Sequence, residues 1–160
     1  MARRLLPVGL DFVETAPLRL VFAREVSASP DAVYRALAED VVGWPQWFSA
    51  VTLARPIDGG ARREVRLKGG TRFLETIVAA EPGDVYAYRV DETNVPGVRA
   101  LLEEWRLEGL PGGGTRVRWT FAVDAPAGVR AGMKFGRAGM GRAFRGAVAA
   151  LDRRLASTPA

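Results

Sequence analysis

The spacing of apolar and polar positions changes character along the chain, and each change marks an element. Residues 18–26 read L-R-L-V-F-A-R-E-V, rich in strand formers and short enough to be one strand. S-A-S-P-D then supplies a turn, with Ser29 placed to cap a helix and Pro30 at its first position, where a missing N–H costs nothing. Val33, Leu37 and Val41 recur at helical spacing until G-W-P at 43–45 stops the run, and Trp44, Trp47 and Phe48 fall in a second short helix or turn.

Beyond residue 50 the period shortens to that of strands. Turn signals at Asp58-Gly59-Gly60, Lys68-Gly69-Gly70, Glu81-Pro82-Gly83-Asp84 and 110–114 separate runs at 51–56, 62–67, 72–80, 85–91, 101–108 and 115–123. Tight turns between successive strands imply antiparallel neighbours in a meander, and 92–100 is long enough to be a rim loop. A last helix is predicted over 127–156, on which Val129, Met133, Met140, Phe144, Leu151 and Leu155 form an apolar stripe. One strand, two short helices, six strands and one long helix describe an α+β fold in which a curved antiparallel sheet of about seven strands packs on the long C-terminal helix. Residues 1–17 show no strong period and are expected to form an arm or an extra edge segment ahead of one domain over 18–160.

A stripe of small residues flanks the apolar one: Gly132, Gly136, Gly139, Ala143, Gly146 and Ala150. Each helical glycine costs about 1 kcal/mol against alanine, so something must offset the loss. Either the helix backbone approaches the sheet or a second subunit closely, which makes a homodimer one expectation, or the stripe leaves room for a ligand and loosens the segment. Glycine is concentrated from Gly128 to Gly141, so that half is expected to be a mobile cavity gate.

Composition narrows the chemistry. The chain has 160 residues, 48% of them hydrophobic, enough for one proper core, and no run long enough to cross a membrane, so stable membrane insertion is not expected. The short run 5–10 does not make a signal peptide, and a cytoplasmic location is expected. With no cysteine and no histidine, thiol nucleophiles, Ser-His-Asp triads and the usual zinc sites are excluded, and neither a metal site nor a cofactor is expected. The net charge of +5 sits almost wholly on the last helix, which holds seven basic residues and one acidic, so the remainder is about neutral. Arg130, Lys134, Arg137 and Arg145 read as a solvated face, and nucleic acid is not an expected partner, because no aromatic residues interleave with them.

The stretch from Val26 through A-S-P-D-A-V-Y (Ala28 to Tyr34), Leu37, Asp40 and W-P-Q-W (Trp44 to Trp47) resembles the opening of the helix-grip superfamily (SRPBCC, START and Bet v 1-like proteins), notably its bacterial polyketide cyclase/dehydrase-like branch. G-G-T-R-V-R-W (Gly113 to Trp119) resembles the last hairpin of such proteins. Together with the element order the resemblance spans about 18–156. It implies a cavity between sheet and C-terminal helix that holds a lipid, polyketide or aromatic molecule, while leaving the chemistry open.

Strand alternation sends Val117, Trp119, Phe121 and Val123 inward on the last strand, Tyr86, Tyr88 and Val90 on another, and puts Glu103, Trp105 and Leu107 on one face. With Trp47 and Phe48 at the cavity mouth and Met133, Met140 and Phe144 on the helix, these aromatics are the expected ligand-binding set. Each alone is more often plain core. Glu75 is ambiguous: with Phe73 inward it becomes a desolvated carboxyl suited to acid–base work, and otherwise it pairs with a neighbouring arginine on an exposed face.

Binding of a hydrophobic small molecule is the leading function on this reading. An alternative is a polyketide cyclase or dehydratase in which Glu75 or Tyr88 moves protons and Arg66 or Arg106 polarises a carbonyl. A third is an interaction module whose basic helix meets an acidic partner or an anionic membrane surface.

Overall fold

Every strand boundary implied by the turn signals is realised within a few residues in the computed structural model, which describes residues 1–157. Ahead of the expected elements, β1 (Arg3–Arg4) and a single helical turn α1 (Phe12–Thr15) precede β2 (Leu18–Val26). The meander consists of β3 (Val51–Ile57), β4 (Arg62–Leu67), β5 (Arg72–Glu81), β6 (Val85–Thr93), β7 (Ala100–Gly109) and β8 (Thr115–Asp124). Its order is β2-β8-β7-β6-β5-β4-β3, antiparallel throughout, with β1 paired to the end of β6. The first segment is therefore partly tied down: Leu5 and Val13 are buried, and α1 lies against β7 and β8. Register shifts between Leu74 and Glu75 and between Ile77 and Ala79 bend β5 against β6, as extra residues in one strand do.

The helix after Ser29 forms as its cap predicts, with the Ala32 N–H donating to the Ser29 hydroxyl at 3.2 Å. It is shorter than its apolar spacing suggests. α2 (Pro30–Tyr34) passes into a π-turn over Arg35–Glu39, breaks at Asp40 and continues as a 3₁₀ turn over Val41–Gln46. A Cβ at Gly43 would meet the Asp40 carboxylate, so any larger residue there would have to turn that side chain away. The Trp44 indole N–H donates to the Leu37 carbonyl at 3.0 Å and holds the turn to the preceding one.

The long C-terminal helix forms over its expected span and carries one interruption. The C-terminal helix is two helices, α3 (Ala127–Phe135) and α4 (Arg137–Ser157), separated at Gly136, whose φ of −81° and ψ of 1° leave the helical region. α3 buries no residue, whereas α4 buries Gly141, Phe144, Ala147, Val148 and Leu151. Phe144 stacks on Trp119 with ring centroids 5.9 Å apart, and the Asp152 carboxylate accepts from the Ser27 N–H, the Ser27 hydroxyl and the Ala28 N–H at 2.8–3.1 Å. α4 is thus pinned at both ends of its buried half.

The small-residue stripe makes no close approach. A Cβ at Gly132, Gly139 or Gly146 would meet nothing within 4 Å, so within the chain these glycines face open space. Among the described residues, no helix is long and apolar enough to cross a membrane.

Candidate functional site

Two cross-strand pairs bring four polar side chains onto the inner face of the sheet. Arg63 on β4 lies opposite Glu75 on β5, and Tyr88 on β6 lies opposite Glu103 on β7. All four are buried. The Arg63 Nε–H donates to Glu75 Oε1 at 2.5 Å, and the guanidinium carbon sits 3.9 Å from the Tyr88 ring centroid, 4.5 Å from that of Trp44 and 5.5 Å from that of Tyr86. A buried cation is tolerable only with such compensation, here one carboxylate and three aromatic faces. Arg63 nevertheless keeps one buried nitrogen, Nη1, without a hydrogen-bond partner among the described residues.

The second pair belongs to a chain of donors. Trp105 Nε1–H donates to the Tyr88 hydroxyl at 3.1 Å, Tyr88 donates to Glu103 Oε1 at 3.0 Å, and Trp119 Nε1–H donates to the same oxygen at 3.0 Å. Burial pushes the Glu103 carboxyl up, the nearby Glu75 charge pushes it further, and Arg63 with the two hydrogen bonds pulls it back, leaving it at about 7. Burial also raises Glu75, opposed by the charge and hydrogen bond of Arg63. For Arg63 itself, burial works against the charge, and Glu75 with the two phenols more than reverses that, so it stays protonated. Glu75, 2.5 Å from a permanent cation, is the better compensated of the two carboxyls, and Glu103, held at about 7, is placed to exchange a proton near neutrality. Burial holds the Tyr88 phenol well above its ordinary value, so it acts as a donor.

These groups line a cavity of about 260 Å³ between the sheet and α4. Its walls are mainly apolar: Phe48, Val65, Phe73, Trp119, Phe121 and Met140. One end is polar, formed by Arg63, Glu75, Tyr88 and Glu103. An apolar pocket with a few convergent polar groups is the usual form of a small-molecule site.

Residues 17–156 match the family model described as polyketide cyclase / dehydrase and lipid transport. The chain belongs to that family. An uncharacterized protein of Mycobacterium tuberculosis is 32% identical to it over 120 residues, covering 72% of this chain and 71% of the relative. A START superfamily protein from Mycobacterium smegmatis superposes with a TM-score of 0.69 at 14% identity, over 86% of this chain and 97% of the other. The Zhui aromatase/cyclase from Streptomyces sp. R1128 does so with a TM-score of 0.69 at 19% identity, over 87% and 93%. These likenesses establish the helix-grip fold for this member of the polyketide cyclase/dehydrase family.

Of the residues singled out in the sequence, Phe48, Tyr88, Trp119, Phe121 and Met140 meet at the cavity, together with Glu75. The others lie elsewhere. Trp105 and Phe144 are fully buried in the aromatic stack with Trp119, Trp47 packs behind Trp44 at 4.7 Å between centroids, Tyr86 opens onto a different cleft, and Met133 sits on α3 away from the cavity. Trp44 anchors its turn through the indole bond to Leu37 and also lines the cavity. Glu75 is inward, as one phase of its strand requires, and it is also paired to an arginine, but a buried one.

Arg66 and Arg106 are displaced from the chemistry. They lie on the outer face, with side chains 52% and 37% exposed, bound to Glu64 and to Glu104 and Asp84. The strand period accounts for this, since Arg66 is out of phase with Val65 and Arg106 with Trp105. Sequence reasoning missed Arg63 and gave Glu103 no role. The signal existed: Arg63 alternates with Val65 and Leu67, and Glu103 with Trp105.

The basic stripe of the helices is partly engaged within the fold. Arg137 donates to the Val21 carbonyl at 3.0 Å and lies 5.1 Å from the Phe22 ring centroid, and Arg154 contacts Gln46 and Asp40.

Proposed function

We propose that this chain binds a compact, flat and largely apolar molecule whose oxygen-bearing end meets Arg63, Tyr88 and Glu103. The observation that carries this reading is the pairing of aromatic walls with one buried polar end in a single cavity. At about 260 Å³ it falls just below the roughly 300–1,000 Å³ of most ligand pockets, which favours a small ring system over a long lipid chain. Trp119 forms one wall and donates to Glu103, so an occupant touches both the fluorophore and the titrating group. The test is a thermal-shift and tryptophan-quenching panel of naphthols, naphthoquinones and fatty acids. Bicyclic oxygenated compounds should quench and stabilise, and a panel without either effect removes the reading.

A second reading is a cyclase or dehydratase acting on the same occupant, favoured by the Glu103 carboxyl at about 7. In it, Glu103 takes up a proton from a carbon flanked by carbonyls or returns it to oxygen, Arg63 polarises a carbonyl, and Tyr88 orients the carboxyl. Turnover of a poly-β-keto analogue that Glu103→Gln abolishes, with ligand binding retained, would separate catalysis from carriage.

A further inference from the structure

A second concavity, of about 440 Å³, lies between the turns at 35–42 and the β3–β4 and β5–β6 ends of the sheet, and it shares only Arg63 with the inner cavity. Its floor has Tyr34, Tyr86 and Arg63, and its walls have Val41, Val42 and Ile77. Two features mark it as open for occupation. Val42 is 65% exposed on its margin, one of only four large apolar side chains so placed among the described residues. Gly59 and Gly60 form another part of the margin, where an added Cβ would meet nothing within 4 Å.

We infer that this cleft is a separate binding site for a small neutral molecule with an apolar ring and a carbonyl oxygen, the oxygen accepting from the hydroxyls of Tyr34 and Tyr86. The donors argue for an acceptor: Tyr34 and Tyr86 both line the cleft over the Arg63 guanidinium, and burial raises both phenols, which keeps their protons on. The charges argue for neutrality. The Arg63 charge is matched by Glu75 at 2.5 Å, that of Arg62 by Asp58 and Asp91 at 3.4 and 3.3 Å, and Glu39 adds a negative charge at the margin. A carboxylate entering the cleft therefore meets no net positive field, while a carbonyl oxygen needs only a donor.

The test is a heteronuclear NMR titration with α-tetralone, tetralin and naphthoate, reading the Gly59 and Gly60 amides for the cleft and the Trp119 indole for the inner cavity. Only α-tetralone should move the glycine amides, Tyr34→Phe should weaken that effect roughly 3- to 10-fold by removing one donor, and Ala80→Trp should abolish it. Any response of the indole should survive Ala80→Trp, which shows that the variant is folded and keeps the two sites distinguishable. Three results would overturn the inference: silent glycine amides, equal binding of tetralin, or preferred binding of naphthoate.

Discussion

Tyr88 donates its hydroxyl hydrogen to Glu103 across a register that makes the two residues direct neighbours on β6 and β7. The bond is 3.0 Å long and wholly buried, and the same carboxylate oxygen also accepts from the Trp119 indole. Two donors on one oxygen favour the ionised form, burial and Glu75 oppose it, and the balance falls close to neutral pH.

That balance sets a pH dependence. A carboxyl held at about 7 in the fold and at its ordinary 4.5 when unfolded leaves both states protonated below about pH 4.5. As pH rises, the unfolded chain gives up the proton first, so stability is lost through the folded value by about 3 kcal/mol in total. Urea denaturation of the wild type at about pH 5 and about pH 8 should show this loss, and Glu103→Gln should remove most of it. An unchanged slope in the variant would assign the titration to another group.

The Arg63–Glu75 pair should behave as a buried pair does when halved. Arg63→Met leaves an uncompensated carboxylate, and Glu75→Leu leaves an uncompensated guanidinium, so each should cost about 3–5 kcal/mol. The double variant should lose less than the sum of the two. Denaturant midpoints for the four proteins close the cycle, and additivity would mean that the pair is not coupled.

Glycines on the C-terminal helices should divide by what surrounds them. Gly139→Ala and Gly146→Ala add a methyl group into open space and should each stabilise by about 0.5–1 kcal/mol. Gly141→Ala would bring a Cβ within 3.2 Å of the Phe22 ring and 3.1 Å of Arg145 Nη1, and should destabilise. Melting temperatures of the three variants decide it, and a fall for Gly139→Ala or Gly146→Ala would point to a contact outside this chain.

The fold was legible because turn residues and strand period both act locally. The run from Arg62 to Leu67 is bounded by glycine turns, and its strand begins and ends where they place it. The candidate site was only half legible. Alternation put Tyr88 and Trp119 inward, but arginine is so seldom buried that Arg63 reads as surface until Glu75 and three rings are seen around it. The break at Gly136 escaped for a different reason. Apolar spacing continues from Met133 to Met140, and nothing in that period says that one glycine leaves the helical region.

The break at Gly136 and the unequal anchoring of the two helices lead to a prediction about access to the cavity. α3 has no buried residue, and Phe135 at its end is 95% exposed. α4 is held by Phe144, Val148 and Leu151 in the core and by three hydrogen bonds to Asp152. Opening costs least where few contacts are lost, so it should involve α3 and the first turn of α4, where Met140 forms part of the cavity wall. Amide hydrogen exchange should therefore be fast over 128–140 and slow over 144–152, and a bound naphthol should slow the first segment far more than the second. Asp152→Ala should spread fast exchange into the second segment and destabilise the protein by about 1–3 kcal/mol, because two backbone donors lose a charged acceptor. Uniform strong protection from Gly128 to Leu155 in the ligand-free protein would rule out this gate and direct the search for an entrance to the β3 edge, where Ala50 and Val51 line the same cavity.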